Sequence, residues 1–225
     1  MIDFLSSLPY ELLYLVPVFL SFTPQMLWYG ANLEKRVAKR GIEVSIPTLT
    51  LYNQGVFSAL FAVAVSWILG FPLATAAGVG VAVSAALLAS YIDWKTCFIP
   101  NEVVIYGFIA SLLVVPMFYN PDGWVNIAIT TGVIIFAGFI TNLITKGKLG
   151  GGDIKLLVSF VPAIYWFDSI NIFYIIVAAL PIQLIARQVW KKKHPESKGA
   201  PYGPALTLAF ILMLIYGGYT STLIG

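Results

Sequence analysis

Long apolar runs, separated by short polar stretches, extend along almost the whole chain. They number about eight and cover residues 8–30, 48–69, 72–92, 99–118, 124–145, 154–167, 171–190 and 203–224. Most of them reach the length of about 20 apolar residues that a helix needs to cross a bilayer. Because lipid offers the backbone no hydrogen bonds, such runs are expected to form helices. The pattern therefore predicts an all-α, polytopic membrane helix bundle of about eight spans.

Composition leaves no room for a separate soluble domain. The chain is 59% hydrophobic and only 10% charged, whereas soluble domains carry about 25% charged residues on average. The longest polar stretches are roughly 31–47 and 191–202. We expect a single transmembrane domain over residues 1–225, in which 1–70 form two N-terminal spans and 72–225 form a six-span core.

The placement of basic residues predicts how the bundle is oriented. All 13 Lys and Arg residues lie in every second loop or within one helical turn of it. With the N-terminus outside, these inner loops are 31–47, 93–98, 146–153 and 191–202. Loops rich in Lys and Arg mark the cytoplasmic side, so we predict a multi-pass plasma-membrane protein. The net charge of +3 says little by itself, because the placement of Lys and Arg matters more than their sum in a membrane protein. It gives no indication of nucleic-acid binding.

The run 154–167 is shorter than the others. Its helix would be about 21 Å long, against a hydrocarbon core of about 30 Å. We expect it to span the membrane, or to form part of a shortened and bent span. Its first residues, with Asp153 just before them, would then lie below the membrane surface unless the bilayer thins there.

Three acidic residues at the inner ends of the runs, Asp93, Glu102 and Asp153, are candidates for chemistry. Ionisable groups near the hydrocarbon are costly and are functional candidates for that reason. The glycines Gly150–Gly152 lead directly into Asp153, and they allow a close approach of the backbone. An ordinary N-cap aspartate after a flexible loop would give the same local pattern, so this stretch alone leaves both interpretations open.

The counts of Cys and His exclude several kinds of site. Cys97 is the only cysteine and His194 the only histidine. A disulfide framework, a cysteine-based or multi-histidine zinc site and a Ser-His-Asp triad are therefore ruled out. We expect no metal and no cofactor.

Three short motifs occur in order over the last two-thirds of the chain. They are D-x5-I-P-N at Asp93–Asn101, G-x-G-D-x-K-L-L at Gly150–Leu157, and P-x-G-P at Pro201–Pro204. In this combination the chain resembles the type IV prepilin peptidase family of GxGD membrane aspartyl proteases. The resemblance implies that Asp93 and Asp153 are the two catalytic residues. It also implies that the substrates are membrane precursors of the prepilin or preflagellin class.

The resemblance implies supporting roles for the other motif residues. These residues are Ile99, Pro100, Asn101, Gly150, Gly151, Gly152, Lys155, Pro201, Gly203 and Pro204. Lys155 either lowers the pKa of Asp153 or serves as another inner-side anchor. Four glutamates on the predicted cytosolic side could attract a basic leader peptide, or could be ordinary solvated loop charges, namely Glu34, Glu43, Glu102 and Glu196.

Two close carboxyl groups predict an acid–base mechanism without a covalent intermediate. Both cannot easily ionise, so they should share one proton. The ionised member would take a proton from water, while the other would hydrogen-bond the scissile carbonyl oxygen. The expected enzyme is an aspartic endopeptidase that removes a short basic leader at the cytosolic membrane face.

Bacterial bifunctional members of the family carry paired Cys-x-x-Cys motifs between their first two spans. Residues 31–47 of this chain contain no cysteine, so methyltransferase activity is not expected.

Other classes of protein remain alternatives at this point. The presenilin and signal-peptide-peptidase group also has G-x-G-D and a later Pro-Ala-Leu, which Pro204–Leu206 matches. That group has Tyr and Asp adjacent, whereas Ile92 separates Tyr91 from Asp93 here. An ion-coupled transporter could also place carboxylates at membrane depth, but no inverted repeat with broken helices is evident. An inactive scaffold would not need both aspartates.

Overall fold

The computed structural model describes 35, 38–39, 41, 43, 45–69, 73–114, 123–144, 150–164, 171–196 and 199–224. Within these residues the chain forms seven α-helices and no strand, which confirms the all-α prediction. The helices are α1 Thr48–Leu69, α2 Leu73–Thr96, α3 Asn101–Val114, α4 Gly123–Ile144, α5 Gly151–Ile164, α6 Asn171–Lys193 and α7 Gly203–Ile224. Each coincides within a few residues with one of the apolar runs. The first run, 8–30, and the loops with Asp122 and Asp168 lie outside the described residues.

The short helix α5 lies at the centre of the bundle. It packs against α2, α3, α4, α6 and α7. The last part of α5 is buried throughout, and the ring of Phe160 stacks on that of Phe210 in α7 with centroids 4.1 Å apart. A helix that is surrounded by protein need not match the hydrocarbon thickness along its whole length. The central position of α5 therefore accounts for the shortness of its apolar run.

Small residues bring the helices that flank the site unusually close together. A Cβ built on Gly107 of α3 would lie 2.6 Å from the Cβ of Ala85 in α2. One built on Gly138 of α4 would lie 2.7 Å from Ile154 of α5. Small residues allow such close backbone packing when helices associate in an apolar environment. These contacts fix α3 on α2 and α4 on α5.

The loop between α2 and α3 is short and well defined. Helix α2 ends at Thr96. The next residue, Cys97, has a φ of 52°, and its N–H donates a hydrogen bond of 2.7 Å to the carbonyl oxygen of Asp93. This is the left-handed C-cap geometry, here without the usual glycine. Pro100 then precedes α3 and sets its first turn. Asp93 consequently lies inside the last turn of α2, close to the start of α3, and not beyond the helix end as the run 72–92 predicts.

Much of the outer surface of the bundle is apolar. Within the described residues, Gly123–Ile144 and Ile172–Lys193 are long and apolar enough to cross a membrane, by length and composition. Their exposed side chains include Phe136, Phe139 and Leu184. Such extended apolar surfaces are not found on ordinary soluble monomers. The fold is consistent with a membrane helix bundle.

Candidate active site

Asp93 is held at the end of α2 by the start of α7. Its side chain is 4% exposed, and Oδ2 accepts a hydrogen bond of 2.8 Å from the backbone N–H of Gly203. Gly203 is the first residue of α7, so this N–H has no partner within its own helix. The partial positive charge at the start of a helix stabilises a nearby carboxylate. Asp93 thereby joins α2 to α7.

The P-x-G-P motif provides the space that this contact requires. A Cβ on Gly203 would lie 2.9 Å from Oδ2 and 3.2 Å from Cβ of Asp93, so a side chain cannot be added without displacing the carboxylate. Pro204 follows in the first turn of α7, where a missing N–H costs nothing. Pro201 is buried just before the helix. These three residues present the N–H of Gly203 to Asp93.

Asp153 lies in the first turn of α5. Its N–H bonds to the carbonyl oxygen of Gly150 at 3.1 Å, and a Cβ on Gly150 would lie 2.7 Å from the carboxylate oxygen Oδ2. Gly151 and Gly152 belong to the helix itself, whereas the sequence suggests a glycine loop that leads into it. The reason is that Gly150, not Asp153, occupies the capping position.

The glycines before Asp153 face different surroundings. A Cβ on Gly152 would lie 3.0 Å from the Cβ of Ile99, in the loop between α2 and α3. A Cβ on Gly151 would meet nothing within 4 Å. Gly152 therefore allows Ile99 to pack on the start of α5, and so brings the Asp93 loop against the Asp153 helix.

The two carboxyl groups influence each other. Both lie just outside the predicted spans 72–92 and 154–167. Burial raises the pKa of Asp93 from its ordinary value, and the N–H groups of Gly203 and Tyr202 offset part of the rise. Burial and then the negative charge of Asp93 raise the pKa of Asp153. Two interacting carboxyl groups of this kind would titrate as a coupled pair.

The remaining predicted residues lie in several parts of the described structure. Lys155 donates a hydrogen bond of 2.8 Å from Nζ to Oδ1 of Asn101, which ties α5 to α3. Glu102 follows Asn101 in the first turn of α3 and is half-buried. Glu43 and Glu196 are exposed, and Glu34 lies outside the described residues. In the described part of the chain, no group of three His, Cys, Asp or Glu side chains could hold a metal ion.

Tyr202 is a neighbour of the pair that the sequence does not single out. Burial, and after it the charge of Asp153, raises the pKa of its phenol, while its backbone N–H acts on Asp93. Tyr202 is therefore close enough to interact with both aspartates. The only sequence signal is that it occupies the variable position of P-x-G-P.

A buried hydroxyl pair lies one turn from Asp93 and also escapes sequence reasoning. Ser90 and Thr207 are hydrogen-bonded to each other across α2 and α7. Thr207 Oγ1 also donates to the carbonyl oxygen of Ala86 at 3.2 Å. Both side chains are at most 7% exposed. The pair fixes the register of α7 on α2, and hence the position of Gly203 relative to Asp93.

Replacing Thr207 by Val leaves buried polar groups without this hydroxyl, which costs about 1–3 kcal/mol of stability. Because the hydroxyl pair sets the position of Gly203 relative to Asp93, we expect the activity of the candidate site to fall by about tenfold. Thr207→Ser keeps the hydroxyl and should restore most of the activity. Cleavage rate and its pH profile are the measurements. If the hydroxyl positions Asp93, the pH profile of Thr207→Val should shift as well. An unchanged rate for Thr207→Val would show that the pair has no role in the site.

Comparisons with known proteins agree with this geometry. The model of the type IV leader peptidase family matches residues 80–218, a range that contains both aspartates. A prepilin leader peptidase/N-methyltransferase of Pectobacterium carotovorum subsp. carotovorum is 24% identical over 208 residues, which are 87% of this chain and 69% of that protein. A protein of the same name from Bacillus subtilis (strain 168) is 26% identical over 139 residues, 60% of this chain and 54% of that protein. No solved structure matches the chain significantly. Since the family match covers more than half of its residues, the chain belongs to the type IV leader peptidase family.

Proposed function

We propose that the protein is an aspartic endopeptidase with Asp93 and Asp153 as its catalytic pair. It removes the short basic leader from prepilin-like or preflagellin-like membrane precursors. The observation that carries the proposal is the juxtaposition of two carboxyl groups, one at the end of α2 and one at the start of α5. The negative charge of one raises the pKa of the other, in a chain of the leader peptidase family.

The pair supplies the acid and the base for peptide hydrolysis. The ionised carboxylate takes a proton from a water molecule, whose oxygen attacks the scissile carbonyl carbon. The protonated carboxyl group donates a hydrogen bond to the carbonyl oxygen and stabilises the developing negative charge. When the C–N bond breaks, a proton passes to the leaving amine. Either aspartate can hold the shared proton at the start.

We propose that the enzyme cleaves without transferring methyl groups. Both relatives carry names that join a leader peptidase with an N-methyltransferase. In this chain the polar stretch 31–47 contains no cysteine, and Cys97 is the only one in the sequence. It lies in the left-handed cap of α2, where it has no second cysteine to form a Cys-x-x-Cys motif.

For the membrane arrangement we propose eight spans, an outer N-terminus and a site at the cytosolic face. Support comes from the end of α6, where Trp190 contacts Trp94 of α2 with ring centroids 5.2 Å apart. Lys191–Lys193 follow directly, at the same end of the bundle as Asp93. Clustered lysines mark the cytoplasmic side. The domain division into 1–70 and 72–225 is part of the same proposal.

Single cysteines in a Cys97→Ser background should report this topology. Probes placed near Asp122 and Asp168 should react with a membrane-impermeant maleimide added outside intact cells. Probes near Lys39 and Lys192 should react only after the membrane is opened. Labelling near Lys192 from outside would mean that α5 or α6 does not cross, and would contradict the cytosolic position of the site.

Co-expression with a candidate prepilin tests the function directly. A smaller product should appear on a gel, and its mass should place the cut before the apolar helix. A cut within that helix would favour the presenilin-like alternative.

Cleavage activity should persist in the presence of EDTA and of serine- or cysteine-directed inhibitors. Loss of activity with EDTA would contradict the aspartic mechanism. Cation- or proton-dependent flux without any cleavage would identify a transporter.

A further inference from the structure

A groove of about 820 Å³ opens between α3 and α4 beside the candidate site. These two helices follow each other in sequence, yet both pack on α5, which forms the floor of the groove. Its walls are mostly apolar and include Ile105, Phe108, Ile135 and Phe139. Three of these side chains, those of Ile105, Ile135 and Phe139, are more than half exposed. The groove therefore presents an apolar surface with space for another apolar segment.

One end of the groove adjoins Asp153. Asn101 and Lys155 line that end, and Ile154, the residue after Asp153, belongs to the lining too. From Asn101 the wall formed by α3 runs to Ile109, a length of about 12 Å at 1.5 Å per residue. A segment that leaves the candidate site along this path would enter the groove at once.

A buried acceptor in the wall lacks a partner. Oδ1 of Asn142, near the end of α4, is shielded from solvent and has no hydrogen bond. An unsatisfied buried polar atom costs about 1–3 kcal/mol. A donor on a molecule bound in the groove, such as a hydroxyl or amide, would remove this cost.

We propose that this groove binds the apolar helix of the precursor, on the mature side of the scissile bond. The inference rests on the proposed function. A helix is the expected occupant because a segment surrounded by apolar side chains must satisfy its own backbone hydrogen bonds. It would lie with one apolar face in the groove, as helices do in other recognition grooves.

Charge decides which side of the cleavage site enters the groove. Lys155 is the charged residue at its mouth, and its ammonium group is exposed and bound to Asn101. Like charges repel, so a basic leader is disfavoured there. The leader must therefore extend away from Lys155, and the uncharged part of the substrate follows the groove. This arrangement places the scissile bond at Asp153.

Two variants on α4, one inside the groove and one outside it, test the proposal. Ile135 and Val133 are both exposed on α4, by 53% and 47%, but only Ile135 lines the groove. Ile135→Trp fills part of the groove and should raise the KM for a complete precursor about tenfold, which corresponds to about 1.4 kcal/mol of binding free energy, with little change in kcat. Val133→Trp should leave the KM unchanged.

A second substrate distinguishes an effect on the groove from an effect on the catalytic pair. A short soluble peptide with the leader and the cleavage site, but without the apolar helix, should be cleaved equally by Ile135→Trp and the wild type. An unchanged KM of Ile135→Trp for the precursor would overturn the proposal. An equal loss with both substrates would do so too, because it would indicate damage to the site itself.

Cross-linking tests the groove without any need for cleavage. In a Cys97→Ser, Asp153→Asn background, Ile105→Cys should form a disulfide with a cysteine in the first turns of the precursor's apolar helix. Val133→Cys should not. If the groove instead binds lipid, Ile105→Cys will react with a thiol-reactive lipid analogue, and added precursor will not prevent that reaction. If the proposed function itself is wrong, neither substrate will be cleaved, whatever the cross-linking result.

Discussion

Asp93→Asn and Asp153→Asn should each lower cleavage by at least about a thousandfold, which is within the range that general acid–base catalysis contributes. An amide can neither share the proton nor accept one from water. Both variants should fold, because Asn has nearly the shape of Asp. In Asp93→Asn the amide oxygen can still accept the hydrogen bond from the N–H of Gly203. The measurement is the rate of precursor cleavage, with membrane insertion checked by fractionation.

The double variant should be no worse than either single one, because groups that act as a unit lose their whole contribution at the first substitution. The wild type should show a bell-shaped pH profile whose two limbs belong to the pair. Glu102→Gln and Asp168→Asn are matched controls that should keep most of the activity. Clear cleavage by either aspartate variant, at normal expression, would mean that the catalytic pair has been misassigned.

The helices of this fold could be predicted because each one coincides with an apolar run in the sequence. Seven described helices coincide with seven runs, since long apolar segments leave the backbone few other conformations. The boundaries differ where side-chain or loop contacts decide them. Helix α2 continues to Thr96 because the N–H of Cys97 caps it on the carbonyl of Asp93. Helix α5 begins at Gly151 because Gly150 provides its cap.

The site could be predicted only as far as its residues form motifs. The three motifs predict the candidate residues, and the structure brings Asp93 to Gly203 and Ile99 to Gly152. Ser90 and Thr207 could not be found in this way, because a lone hydroxyl in an apolar run has many possible partners until the helices are placed. The groove beside Asp153 depends on α3 and α4 both packing on α5. Such contacts between residues on different helices leave no local signal in the sequence.

The three consecutive glycines before Asp153 should respond very differently to alanine. Gly150→Ala places a Cβ 2.7 Å from Oδ2 of Asp153, and Gly152→Ala places one 3.0 Å from the Cβ of Ile99. Gly150→Ala forces the Asp153 carboxylate to move, and Gly152→Ala requires Ile99 or the start of α5 to move by a few tenths of an ångström. Because a displacement of about 1 Å at a catalytic group can cost a hundredfold in rate, we expect losses of about tenfold to a hundredfold. The measurement is the cleavage rate, with thermal unfolding recorded in parallel.

Gly151→Ala provides the matched control for these two variants, because the added Cβ meets no atom within 4 Å. It should lose little activity. It should also raise the stability by up to about 1 kcal/mol, since Ala is the better helix former. The comparison distinguishes a need for close packing from a need for backbone flexibility. If the glycines were needed for a mobile loop, all three substitutions would reduce activity alike. An equal loss in Gly151→Ala would therefore show that the close packing around Gly150 and Gly152 is not what the active enzyme requires.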